Sequence, residues 1–353
     1  MIKIIQLILI FAFVFGCQSN QKEEKLKSDP TENGVSGQKS IHQEDLEKYG
    51  ANLENDFDLD YQIVFEEIKD ITNKDLGFFQ HPKFTNDGKN LVFTNENYSE
   101  IWLYDFENEL VEKIVSLPNC GNNFQLSGDG KSIFFRNKAK NGKRGGIYSI
   151  LKYSILDGNI DVVYKTENRI STPILKKRAL YFLEKGISKK INISDNKFSE
   201  FNNDSFFYVE NNLLIKDTGK KDTISFNKKN YKFINCIASK TGDHIFALTA
   251  NNGVQVITGN GKIINSYPDA ISISNALNSN LVVFTEESDD GQKIIGSDLY
   301  IGFLNSSKKI KMDNSVNELR FNPDWSPVDN RIVYITKNGL VKIILFNIEK
   351  TSA

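Results

Sequence analysis

Short apolar runs alternate with polar turns along most of the chain, and the alternation repeats. In the first full unit Lys83-Phe84-Thr85 reads as a strand and Asn86-Asp87-Gly88-Lys89 as a turn. Asp and Asn side chains fold back on their own backbone there, and Gly supplies positive φ. Leu91 to Thr94, Glu100 to Asp105 and Leu110 to Val115 follow as three more strands. Four short strands separated by turn signals predict an antiparallel meander. A second copy runs from Phe124 to Tyr164. Its first turn is Gly128-Asp129-Gly130-Lys131, and Leu156-Asp157-Gly158-Asn159 is a later hairpin turn.

Weaker copies occupy Thr172 to Glu184, Phe206 to Asp217, Ile237 to Thr249, Ile273 to Thr285 and Phe321 to Thr336. Turn centres fall near positions 88, 130, 177, 211, 242, 279 and 329, a mean spacing of about 40 residues, the period of a β-propeller. The expected fold is therefore all-β: a propeller of four-stranded antiparallel sheets. Seven markers give seven blades, or six if the short units around 177 and 211 share one irregular blade. A barrel or doubly wound fold would need helices between the strands, and no segment carries a long helical period.

The last unit offers three strands, Glu318 to Asn322, Arg331 to Thr336 and Leu340 to Ile348, and then the apolar pattern stops. Tyr61 to Ile68 is a strand-like segment ahead of the first unit, with no blade of its own. It is expected to supply the outer strand of the last blade, which would join the ends of the ring and cover an open edge.

The first and last units share a phrase: Pro, any residue, an aromatic, a hydroxyl residue and a polar turn. It is carried by Pro82, Phe84, Thr85, Asp87, Gly88, Lys89, Leu91, Phe93, Ile101 and Trp102, and again by Pro323, Trp325, Ser326, Pro327, Ile332 and Tyr334. This phrase resembles the TolB-type, WD40-like propeller repeat over roughly Phe79 to Glu349. The first copy departs with Asn86 in place of Pro, and the last with Val328-Asp329-Asn330 in place of Asp-Gly. The resemblance implies a propeller that presents a face to protein partners.

The N-terminus is of another kind. Lys3 precedes an apolar run from Ile4 to Phe15, then Gly16-Cys17. The run is short for a membrane span, which needs about 20 residues, and suits a signal peptide over 1–16. Val14-Phe15-Gly16-Cys17 resembles a bacterial lipobox, which implies that Cys17 is acylated, with palmitate among its chains, and holds the protein to the outer membrane. An ordinary signal peptide with an incidental Cys is the alternative. Residues 17–57 are polar and read as a flexible tether, leaving 58–350 as the propeller. Gln21-Lys22-Glu23-Glu24 resembles a signal that exports some bacterial lipoproteins to the cell surface, although a plain charged linker fits equally.

Composition agrees with strands: of 353 residues, 25 are Phe and 13 Tyr, against 7 Pro and 2 Met. The formal charge of −1 offers no basic excess for phosphates, so nucleic acid is not an expected partner. The chain has three His: His42 in the tether, His81 before a Pro, and His244 after a hairpin turn. His81 and His244 belong to separate blades and are expected to be structural. Neither a Gly-x-Ser-x-Gly elbow, a Cys-x-x-Cys pair nor a phosphate loop occurs. Asp56, Asp58, Asp60 and Glu67 echo calcium-loop spacing, but Tyr61 stands where that loop needs Gly. No enzyme activity, cofactor or metal is therefore expected. Cys120 and Cys236 are expected to be separate thiols.

Two charged stretches remain. Asn137 to Gly146 is basic and glycine-rich, and Glu286 to Gly291 is acidic. Both are expected as loops between second and third strands, hence on one face of the ring, where they could steer a partner or simply keep the protein soluble. The expected function is a non-enzymatic, membrane-anchored binding or scaffolding propeller of the bacterial envelope that engages protein partners through a face. The alternative is binding of an extracellular glycan or peptide ligand, of unknown site, in the funnel of the ring.

Overall fold

Successive residues of a strand point to opposite faces, and this alternation builds the ring. Leu91 and Phe93 pack against Val333, Ile335 and Ile343, near the C-terminal end, while Val92 between them packs with Ile133 and Phe135 of the next unit. The computed structural model describes residues 61–141, 145–202, 204–224, 231–277, 280–312 and 318–350. The signal peptide, Cys17, the tether, His42, Asp56, Asp58 and Asp60 lie outside the described residues.

The described strands form seven antiparallel sheets, six four-stranded and one three-stranded. Sheet 1 holds Phe79–Phe84, Asn90–Asn95, Glu100–Asp105 and Leu110–Ser116. Sheet 2 holds Gln125–Leu126, Ser132–Asn141, Gly145–Ser154 and Ile160–Thr166. Sheet 3 spans Ile174–Lys176 to Lys197–Phe198. Sheet 4 is the short one, Phe206–Glu210, Leu213–Asp217 and Asp222–Thr223. Sheet 5 begins with Phe233–Ala238 and His244–Thr249, and sheet 6 with Ala270–Asn275, Leu281–Asp289 and Ile294–Phe303. Sheet 7 contains Arg320–Trp325, Arg331–Thr336 and Val341–Lys350. Among the described residues the units around 177 and 211 form separate sheets, so six sheets are complete four-stranded blades and the short one stands apart from them.

Seven apolar clusters join each sheet to the next, and the last joins sheet 7 to sheet 1. Each sheet therefore buries both faces against neighbours. Closure follows the sequence expectation: Tyr61–Asp70 pairs antiparallel with Val341–Lys350, from Tyr61↔Lys350 to Asp70↔Lys342, with a bulge between Phe65 and Glu67. Ile63 and Phe65 add to the cluster between sheets 6 and 7. Glu67 is an exposed residue of this outer strand.

The repeated phrase has a backbone reason. His81 and Asn322 both have φ of 49°, and each stands before its Pro inside a bulge of the first strand. Pro cannot donate to the ladder, so the bulge is where a strand tolerates it. Gly88 has φ of 67°, and the amide of Gly88 donates to the Thr85 carbonyl at 2.8 Å to close the turn.

Two expectations are corrected. Asn137 to Asn141 is not a loop: Ser132–Asn141 pairs with Gly145–Ser154 along its whole length, down to Asn141↔Gly145. Glu286 to Asp289 is likewise paired, Glu286↔Asp298 to Asp289↔Ile294. In both places the second and third strands bond to each other beyond the body of the sheet, so the polar run ends as a two-stranded ribbon instead of a loop.

Candidate functional site

Each sheet starts on the inside of the ring, and polar contacts between first strands run around the axis. Lys83 Nζ of sheet 1 donates to the Phe124 carbonyl at 3.4 Å, just before sheet 2. Leu175 N of sheet 3 donates to Gln125 Oε1 of sheet 2 at 3.3 Å, and Lys176 Nζ reaches the Ser205 carbonyl beside sheet 4 at 2.8 Å. Ser274 of sheet 6 donates to Asp324 of sheet 7, whose Oδ2 accepts from the Phe84 amide of sheet 1 at 2.9 Å.

One contact crosses the ring. Lys240, in the first turn of sheet 5, lies 3.2 Å from Asp324 of sheet 7 and also bonds the Trp325 carbonyl. Its own amide donates to Asn275 of sheet 6 at 2.9 Å. Lys83, Asp324 and Lys240 thus converge at the axis, two ammoniums around one carboxylate. Burial pushes both lysines below their ordinary value, and Asp324 pulls each back. Asp324 is buried by the strand that carries it, and its side chain is shared among three donors.

His81 stands farther along the same first strand. Its Nε2 is 3.2 Å from the Tyr98 hydroxyl, which itself donates to Gln80 Oε1 at 2.8 Å. The hydroxyl proton goes to Gln80, so His81 donates from Nε2 to the hydroxyl oxygen. Burial, helped by the charge of Lys83, lowers the His81 imidazole to about 4.

The antiparallel path puts every second-to-third hairpin on one face, together with the connections between sheets. The basic ribbon and the acidic ribbon therefore rise from the same face. At the base of the basic ribbon is a cleft of about 290 Å³ lined by Asn119, Arg136, Lys138, Tyr148 and Arg169. Arg136 donates to the Ile170 carbonyl at 3.0 Å, and Lys138 lies over the Tyr148 ring at 5.3 Å. Burial and the nearby Arg169 charge both lower Arg136. On the acidic ribbon, Glu286 is paired with Lys309 at 2.5 Å, whereas burial raises Glu287.

The residues singled out in the sequence are not brought together. His81 is on sheet 1 and His244 opens the second strand of sheet 5. Cys120 and Cys236 are free thiols, raised by burial to about 11 and about 12. Among the described residues no three His, Cys, Asp or Glu side chains gather as a metal-binding group. What sequence reading missed is the axial set. Its signal was present: Lys83 and Asp324 are the unspecified residue in the two Pro-x-aromatic phrases.

No protein-family model matches the chain, and no curated protein matches it. Solved structures do. A manganese complex of an oligogalacturonate lyase shares 12% identity over 82% of this chain and 96% of its own, with a TM-score of 0.54. The WD40 repeats of RRP9 share 11% over 82% of this chain and 100% of their own, with a TM-score of 0.53. U3-55K shares 12% over 79% of this chain and 98% of its own, also at 0.53. These likenesses establish the fold as a WD40-like β-propeller. They also overturn the expectation that the chain is not an enzyme, because one of the proteins on this architecture is a lyase. A missing Gly-x-Ser-x-Gly elbow or phosphate loop does not decide the matter, since a propeller can assemble a site from inner strands far apart in sequence.

Proposed function

We propose that this chain is a binding and scaffolding propeller of the TolB-like type in the bacterial envelope, tethered to the outer membrane through acylated Cys17. Its ribbon face engages envelope protein partners. The observation that carries the reading is the pair of tall ribbons of opposite charge on that face, with the basic cleft at the foot of one. Loops and hairpins borne on a rigid scaffold are the usual places where such folds bind, and complementary charge raises association rate and selects partners. The WD40-like architecture supports a scaffold, and the lipobox resemblance supports the anchor.

The test is cross-linking in intact cells followed by purification from membranes. Wild-type protein is expected in the outer-membrane fraction with a stable partner. C17S is expected in the soluble fraction, and R136E/K138E in the membrane without the partner. Partner recovery unchanged by the ribbon substitutions would overturn the docking face. C17S remaining in the membrane would overturn the anchor.

A further inference from the structure

The repeat brings five of the seven first strands to the axis in one register. The amides of Thr85, Ser127, Ser239, Ala276 and Ser326 each donate to the carbonyl that opens the next strand, at Asn90, Ser132, His244, Leu281 and Arg331. The residues two positions earlier are Lys83, Gln125, Ile237, Ser274 and Asp324. They form one layer around the axis, and Lys240 enters it from the turn of sheet 5.

The layer is unbalanced. The Asp324 carboxylate already accepts from the Phe84 amide, the Ser274 hydroxyl and Lys240. Lys83 is left with the Phe124 carbonyl at 3.4 Å, at the long end for an N–H···O bond, and the Phe124 ring at 5.2 Å. An ammonium has three donors. Lys83 is half-buried, and it stands on an innermost strand of the ring. Opposite it, Ile237 is 46% exposed although it sits on an innermost strand. An open aliphatic wall and an underused cation therefore share one level of the axis.

We propose that this layer is a receptor for a carboxylate group borne on a short aliphatic stem, with Lys83 as its ionic contact and Ile237 as the wall for the stem. A carboxylate suits the charge: two lysines against Asp324 leave an excess of one positive charge. A single negative charge balances it, whereas a phosphate dianion overshoots by one and forces a further charge to be buried unpaired. Charge-assisted bonds from Lys83 replace water there, in a setting of low dielectric where such bonds strengthen. The site lies at the end of the ring that carries the first turns, opposite the ribbons, so it is separate from the proposed docking face.

Titration of the full chain with sodium butyrate, followed by the thermal midpoint and by calorimetry, tests this. Butyramide serves as the neutral analogue, phosphate as the dianion and acetate as the truncated stem, all at matched ionic strength. Butyrate is expected to raise the midpoint in proportion to the logarithm of its concentration, with butyramide and phosphate without saturable effect. K83M is expected to weaken butyrate binding at least about tenfold, about 1.4 kcal/mol, and K83R to retain it. Exposed Ile237 gives a second handle: in I237S the preference for butyrate over acetate is expected to vanish while acetate still binds. Equal effects of butyrate and butyramide, equal effects of butyrate and phosphate, or undiminished binding by folded K83M would overturn the proposal. Should K83M not fold, a butyrate preference that survives in I237S does the same.

Discussion

Acid should unfold this propeller partly through one residue. His81 is held neutral, with its imidazole lowered from 6.5 to about 4. A basic group with a depressed value binds fewer protons in the folded state than in the unfolded chain. Its contribution to stability is therefore full above pH 6.5 and is lost as pH falls toward 4. Linkage over that interval gives a loss of about 2 kcal/mol at pH 5 and about 3 kcal/mol at pH 4, relative to neutral pH. The perturbation that isolates this is His81→Asn. Asn tolerates positive φ, and Asn322 holds the same 49° at the matching bulge of sheet 7. H81N therefore keeps the bulge and removes the titration. Urea midpoints of both proteins, measured from pH 7.5 to pH 4, give the assay. All other titrating groups are common to the pair, so the difference curve belongs to His81. It is expected to be flat above pH 7 and to favour H81N increasingly below pH 6. Parallel curves across the whole range would show that His81 is not buried neutral and would refute the reasoning.

Three further outcomes follow from the seams of the ring. Asp324→Ala strands the Phe84 amide and Lys240 together and is expected to cost about 3–5 kcal/mol; in D324A/K240M part of that loss returns, measured by a double-mutant cycle in urea. Deleting Tyr61–Asp70 strips Ile63 and Phe65 from the cluster between sheets 6 and 7 and bares the edge of Val341–Lys350. The shortened protein is expected to melt lower and to associate on size-exclusion chromatography. Gly88→Ala places a Cβ 2.2 Å from Val328 Cγ2 at a φ of +67°, so it is expected to destabilise the seam of sheets 1 and 7 by about 1–3 kcal/mol in the same assay.

The repeat was legible because it is local. Period-two alternation and Asp-Gly turns act within a few residues, so the strands of sheet 1, the turn at Gly88 and the orphan strand at Tyr61–Ile68 could all be read without a structure. The ribbons were not legible, since Lys138 and Lys140 look the same in a solvated loop and in a solvated hairpin; only pairing with Ile147 and its neighbours distinguishes the two. The axial layer was hidden for a stronger reason. Phe84 and Asp324 are 240 positions apart, and Lys240 reaches Asp324 from a third sheet. No local propensity encodes that meeting. It requires the ring to close and the first strands to share a register, after which Lys83 and Asp324 are forced into one low-dielectric space. The sequence by itself determined that there is a ring and where its units begin. Tertiary structure decided which charges face one another across the axis, because electrostatics depends on distance in space and the chain pattern records only distance along the backbone.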